Sequence, residues 1–568
     1  MSSSTPTSAN TEHAETFAQW LREFTARLPN SSTAEWAELM QGIARQPERA
    51  REIQERYYKL HMELWLHLLG EGPAPAQPIG PEVDDHRFDD PDWNALPWFR
   101  YLKQTYLINA RWMRELLELT ELTGPRKRRA DFLLRQYLDA LAPSNFAATN
   151  PEALRLASQT QGASLVQGLE RLRRDLERGR IEMSDEQAFA VGRTLAITPG
   201  AVVYQNSVIQ LIQYIPSSPQ VHERPLFIVP PFINKYYVLD LRPENSFVRY
   251  ALEQGLQVFI VSWRNIDSAT DNLTWDDYIE DGVLAPLQVV RQIAGADSVN
   301  ALGFCIGGTL LACALAIALE RAHVSSLTLL ATMLDFTDVG EIGVYIDEDF
   351  VQRCEQVYRD GGVMPGSAPA SAFASLRAND LVWFFVANNY LKGKAPRAFD
   401  LLYWNGDSAN LPGKLYAWYL RNAYLENNLC KPGKLELHGT PLDFSAIDVD
   451  AFVLATREDH IVPWRGAYES ARLLAGRIEF VLAASGHIAG IVNPPGANRR
   501  EYWVNPSSAV RADDWLGAAR KIPGSWWPHW VRWLKERSGT LVESSPELGN
   551  AQYPSLQPAP GSYVREPA

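Results

Sequence analysis

Between Ser298 and Leu319 the chain carries no charged side chain. A run of that length has two outcomes: a helix crossing a membrane, or a buried strand and a buried helix joined by a turn. Asn300, Gly303, Gly307, Gly308 and Thr309 decide for the second, because clustered glycines weaken a spanning helix and permit a sharp bend. The run therefore predicts a strand over VNALGF (299–304), a tight turn at Cys305 and a helix over TLLACALAIALE, all inside a core. No transmembrane segment is expected.

The surrounding sequence extends that pattern. From Ala201 onward, short β-rich runs alternate with helical stretches: PLFIVP (225–230), LQVFIVSW (256–263), VNALGF, SSLTLLAT (325–332), DAFVLAT (450–456) and RIEFVLA (477–483). Alternation of this kind marks a mostly parallel sheet wrapped by helices. More than a hundred residues, about 335–445 and rich in Trp and Tyr, separate the fourth run from the fifth and are expected to form an inserted subdomain. The tail from 538 is rich in Ser, Pro and Gly and reads as a loosely packed or strap-like segment.

Upstream of residue 201 the texture is helical. A polar leader (1–13) precedes helices over 14–70, of which the clearest repeats Ile53, Tyr57, Leu60, Leu64 and Leu68 at three- to four-residue steps, widened by Tyr58, Trp65 and Leu69. So broad an apolar stripe packs either on the chain's own body or on another subunit or hydrophobic surface. EGPAPAQPIGPE, about 71–82, reads as a semi-rigid linker, and a second helical stretch runs from Trp98 to Gln187 with breaks at Pro125 and 142–151. The expected organisation is a helical domain over 14–200, a catalytic domain over 201–537 and the tail over 538–568.

Charge and cysteine usage narrow the function. The 568 residues carry a formal net charge of −13 with no long Lys/Arg block, which argues against a nucleic-acid partner held through phosphates. Cys305, Cys313, Cys354 and Cys430 lie far apart with no CxxC pair, so neither a disulfide frame nor a thiolate zinc site is expected. The start MSSSTPTSANTE has no basic or apolar signal region, and the expectation is a cytoplasmic protein without a metal or cofactor.

The turn at 303–308, GFCIGG, has the form of a nucleophile elbow: strand, small residue, nucleophile, small residue, helix. The nucleophile is Cys305, placed at a helix N-terminus where the helix dipole favours negative charge. An elbow requires an acid and then a histidine later in the chain. Asp459 follows AFVLAT in the loop ATREDHIVP, and His487 follows IEFVLA in ASGHIAG, each just beyond the carboxyl end of an expected strand. Glu458 is the rival acid. His460, the rival base, precedes the loop that normally supplies the histidine and is read as a supporting residue, as is Asn234. An oxyanion hole needs two backbone N–H groups, one from Ile306 and one from the loop VPPFINKYY, where Pro230 and Pro231 offer none and Phe232 or Ile233 is the donor. A thiol retains the activation of a thioester that a serine would discard, which points to an acyltransferase working on thioesters.

These residues carry a resemblance. The chain resembles the polyhydroxyalkanoate synthases, class I members above all, through GFCIGG, PPFINKYYVLDLRPENSFVRY, VSWRNID, FDLLYWNGDSANLPGKLYAWYLRNAYLEN, REDHIVPW and GHIAGIVNPP in the same order. DPDWNALPWFRYLKQTYL, PSNFAATNPEA, TPGAVVYQNSVIQLIQY, GSWWPHWVRWL and PAPGSYV extend it over roughly 88–565. The resemblance implies an α/β-hydrolase domain with a lid in the aromatic insertion, and a helical domain serving dimerisation and granule association. It implies Cys305 as nucleophile, Asp459 as acid and His487 as base, with (R)-3-hydroxyacyl-CoA, short-chain in class I, polymerised onto a growing polyester chain at a granule surface. Two other functions fit parts of the pattern: a cysteine thioesterase or polyester depolymerase on the same fold, and a catalytically silent granule scaffold.

Overall fold

The computed structural model describes residues 33–71, 79–81, 85–507 and 509–568. The expected leader, the helix before residue 33 and most of the proline-rich linker lie outside the described residues. The described residues divide into two compact units, one within 1–185 together with 374–397 and one within 186–373 together with 398–568.

In the first unit, helices span Pro47–Leu68, Pro97–Leu117, Gly124–Ala140, Pro151–Gln159 and Ala163–Arg178. Pro125 falls in the first turn of its helix, where a missing N–H leaves no bond unmade. The apolar stripe of Pro47–Leu68 is split. Ile53 and Leu64 are buried, and the Tyr57 hydroxyl donates to Asn109 Oδ1 at 3.1 Å. Tyr58, Trp65 and Leu69 on the flank remain exposed by 64%, 47% and 54%. Residues 374–397, within the aromatic insertion, pack in this unit: Tyr390 donates to Asp175 at 2.7 Å, Asn389 to the Glu182 carbonyl at 2.8 Å, and Glu152 pairs with Lys392 and Lys394.

The second unit is built on an eleven-stranded sheet. In chain order its strands are β1 (Gly200–Gln205), β2 (Ile209–Tyr214), β3 (Leu226–Val229), β4 (Val258–Trp263), β5 (Val299–Phe304), β6 (Val324–Leu330), β7 (Asp450–Thr456), β8 (Ile478–Ala483), β9 (Glu501–Val504), β10 (Arg520–Pro523) and β11 (Gln557–Pro558). Their spatial order is β10-β9-β8-β7-β6-β5-β3-β4-β2-β1-β11. The six central strands from β8 to β4 are all parallel and correspond to the six apolar runs of the sequence. Antiparallel strands extend the sheet at both ends. Every residue of β3, β4 and β5 is buried, as expected where both faces are covered.

The uncharged run resolves into β5 and the helix Ile306–Ala322, whose first eleven residues are all buried under the sheet. Among the described residues no helix is long and apolar enough to cross a membrane. The tail forms a strap: Leu541–Glu543 pairs with Gln220–His222, and β11 pairs with β1.

Candidate active site

The parallel strands carry their connecting loops to one edge. Cys305 follows β5, Asp459 follows β7 and His487 follows β8, so three residues far apart in sequence share the carboxyl rim of the sheet.

Cys305 adopts φ 54° and ψ −129°, a left-handed backbone that non-glycine residues avoid. Strain of this kind costs about 1–3 kcal/mol and persists only where the surroundings impose it. Here they do. The Cys305 N–H donates to the Leu330 carbonyl at 2.9 Å, and its own carbonyl accepts from Gly308 N–H at 2.9 Å and Thr309 N–H at 3.2 Å. The glycines are needed for contact as much as for bending. A Cβ on Gly303 would lie 2.4 Å from Gly308 Cα, and one on Gly307 would lie 2.4 Å from the Pro230 carbonyl oxygen.

His487 opens a one-turn helix, His487–Ile491, and is buried. Its Nδ1 lies 2.7 Å from Asp459 Oδ2, and its ring stacks on Phe304 at 5.5 Å between centroids. With Nδ1 on the carboxylate, Nε2 is the nitrogen left for proton transfer, and Cys305 acts on the ring electrostatically. Asp459 is fixed on every side: Oδ1 accepts from the N–H groups of Ile461 and Val462, each at 2.8 Å, and Oδ2 also accepts from the Thr456 hydroxyl at 2.9 Å.

The electrostatics follow from burial and pairing. Burial raises the Asp459 carboxyl, but the His487 charge and these hydrogen bonds outweigh it and hold the group below its ordinary value. Burial lowers His487, yet Asp459 and Cys305 overcome it, and the imidazole is pushed up to about 10. The pairing with Asp459 and Cys305 therefore favours the protonated ring.

The other residues selected from sequence fall around this core. Ile306 is the first residue of the helix after the elbow, and Phe232 is buried against Trp263 and Tyr278. Ile233 gives its carbonyl to Ala409 N–H at 2.8 Å, and Asn234 bridges Ser408. The Val229 and Pro230 carbonyls lie against Gly307, which sets the loop beside the elbow. His460 sits half-buried one residue past Asp459, while Glu458 is exposed. It is Asp459 that engages His487.

Sequence reasoning did not single out Tyr419 and Tyr424. Their rings meet edge to face at 5.4 Å. Burial raises both phenols, and Cys305 acts on each, with Asp459 acting on Tyr424 as well. Both come from the aromatic insertion, where the only signal was the density of Trp and Tyr. Phe304 under the imidazole and Thr456 under the carboxylate were equally unmarked.

The fold is that of the α/β hydrolases, and residues 231–494 match the family described as alpha/beta hydrolase fold. Residues 84–251 match the family described as Poly-beta-hydroxybutyrate polymerase (PhaC) N-terminus. The poly(3-hydroxyalkanoate) polymerase subunit PhaC of Cupriavidus necator is 45% identical over 564 residues, covering 97% of this chain and 95% of the relative. The poly(3-hydroxyalkanoate) polymerase of Methylorubrum extorquens is 41% identical, covering 91% and 87%. The chain belongs to the poly(3-hydroxyalkanoate) polymerase family. Among solved structures, a DcsB complex with its substrate analogue is 14% identical, with a TM-score of 0.32, covering 52% of this chain and 92% of that one.

Proposed function

We propose that the chain polymerises (R)-3-hydroxyacyl-CoA, of the short-chain class I type, into polyhydroxyalkanoate through a thioester on Cys305. The observation that carries this reading is the left-handed elbow of Cys305 on the same sheet rim as a His487 ring held by Asp459. The family membership of the chain supports the same substrate class.

The Cys305 sulfur, paired with the His487 imidazolium, attacks the thioester carbonyl. The N–H of Ile306 and that of Phe232 or Ile233 receive the oxyanion. The carbon–sulfur bond to CoA breaks, His487 supplies the proton to the leaving thiolate, and the acyl group stays on Cys305. The neutral ring then accepts a proton from the hydroxyl of a second acyl unit or growing chain, whose oxygen attacks an acyl thioester carbonyl; the ester bond forms, the carbon–sulfur bond of that thioester breaks, and its sulfur leaves as a thiolate beside the protonated ring. Asp459 keeps Nδ1 occupied throughout, so that Nε2 performs both transfers. Passing from thioester to oxygen ester is downhill, and no nucleotide is consumed.

The reading extends to the surroundings. The aromatic segment around Tyr419 and Tyr424 serves as a water-poor cover for the nucleophile. The exposed face of Tyr58, Trp65 and Leu69 serves granule association by a cytoplasmic homodimer. Incubation with 3-hydroxybutyryl-CoA tests the activity: CoA release with polymer is expected, and its loss in Cys305→Ala. Free hydroxy acid without polymer would instead identify a thioesterase.

A further inference from the structure

The loop after β3 has an unusual problem of support. Pro230 and Pro231 have no N–H to give, so the loop that reaches the elbow must be held by other contacts. It has them. Trp263 Nε1 donates to the Pro230 carbonyl at 2.9 Å, Ala409 N–H to the Ile233 carbonyl at 2.8 Å, and Trp404 Nε1 to the Lys235 carbonyl at 2.6 Å. The remaining support is Lys235 itself. Only 3% exposed, its ammonium donates to the Glu566 carbonyl at 2.6 Å. Burial lowers the group, with Asp407 and Glu566 opposing. A buried ammonium is tolerated only where its donors are satisfied, so Lys235 commits the loop to this partner.

The partner is itself fixed from elsewhere. The N–H groups of Ser562 and Tyr563 donate to the side-chain carbonyl of buried Gln210 at 3.0 and 3.1 Å, and the Tyr563 hydroxyl donates to the Asn206 carbonyl at 2.8 Å. The Arg264 guanidinium lies over the Tyr563 ring at 5.6 Å. One turn further on, Asn265 donates its amide N–H to the Pro567 carbonyl and accepts from Asn410 N–H at 2.9 Å. The strap is anchored on β2 and the turn before it, and its last residues reach the support of the oxyanion loop.

We propose that Lys235 and Asn265 are positioning residues: by gripping Glu566 and Pro567 they hold the 230–235 loop, and its oxyanion donor, in register with the nucleophile elbow. The inference rests on the acyl-transfer reading in taking Phe232 or Ile233 as that donor. It assigns to the strap a role in the acylation rate that its sequence, Ser-, Pro- and Gly-rich, did not announce.

The test separates chemistry that needs an oxyanion hole from chemistry that does not. Cys305 is acylated with p-nitrophenyl butyrate, which passes through a tetrahedral oxyanion, and alkylated with iodoacetamide, which does not. Three variants are compared with the parent: a chain ending after Val564, which keeps the Tyr563 anchor, Lys235→Met, and Asn265→Ser. The expected result is an acylation rate reduced by ~10²-fold in the first two, and less in Asn265→Ser, as for a displacement of about 1 Å, with alkylation left within ~2-fold. Acylation at parental rates, or acylation and alkylation falling together, would overturn the proposal. A parent that forms no polymer from 3-hydroxybutyryl-CoA would refute the polymerase reading alone, because the comparison of acylation with alkylation involves neither CoA nor polymer.

Discussion

Replacing Asp459 by Asn keeps the side chain's shape while removing its charge. In the parent, Oδ1 accepts two backbone N–H bonds and Oδ2 holds Nδ1 at 2.7 Å. An asparagine satisfies the backbone donors only by placing its carbonyl on them, which turns its NH₂ toward Nδ1. The ring, neutral with its one proton on Nε2, can then take no proton from the thiol, and the pairing of imidazolium with sulfur is lost. The energy follows from burial: His487 is 5% exposed at the side chain and Asp459 0%. Removing one partner of such a pair costs about 3–5 kcal/mol of stability, and the wrong tautomer lowers acylation by ~10⁴-fold. The ring's affinity for its proton falls too, since burial alone lowers it from 6.5 and only Asp459 and Cys305 had lifted it to about 10.

The pH dependence has a definite sign. A His487 raised in the folded state adds stability that is complete below 6.5 and disappears as pH rises toward 10. A lowered Asp459 adds stability that is complete above 3.8 and disappears as pH falls below it. The difference in melting temperature between parent and Asp459→Asn should be widest between those two limits and shrink toward pH 10. Stopped-flow CoA release and thermal unfolding across pH measure both. A variant acylating within a few-fold of the parent, with a melting difference flat from pH 6 to 10, would refute the reasoning.

Three further outcomes are expected. Gly307→Ala drives a methyl into the Pro230 carbonyl and should lower stability by about 1–3 kcal/mol, read by thermal unfolding, with CoA release falling alongside. Arg87→Met removes the cation between Asp85 and Asp139, with which it bonds at 2.8 and 3.0 Å, and should destabilise the helical unit by about 3–5 kcal/mol in denaturant titration. The double change Tyr58→Ser with Trp65→Ser touches side chains exposed by 64% and 47% and should alter stability by less than about 1 kcal/mol, while reducing co-sedimentation with polyester particles.

The centre of the molecule was legible because burial on both faces writes itself as unbroken apolar runs: each of the six runs became one parallel strand, and the rim positions of Cys305, Asp459 and His487 followed from which strand each loop trails. The flanks were not. β10, with the sequence RKIP, is largely exposed, and a short polar edge strand leaves no periodic trace. Tyr419 and Tyr424 were hidden for another reason, since in a segment dense with aromatics nothing local distinguishes a ring on which Cys305 acts from one in the core. The association of 374–397 with the helical unit depends on pairs such as Gln136 with the Ser375 carbonyl, separated by most of the sheet in sequence. The split of the Pro47–Leu68 stripe was half visible: the period showed the face, and only packing showed that Trp65 lies outside it.

The most direct test is to stop the reaction with 3-hydroxybutyryl-CoA after a fraction of a turnover and map the acyl group by peptide mass spectrometry. The account predicts a hydroxybutyryl thioester on the peptide containing Cys305, formed as CoA is released and discharged when more substrate is added. CoA release at the full rate with no acyl group on that cysteine, or with the label on another residue, would contradict it.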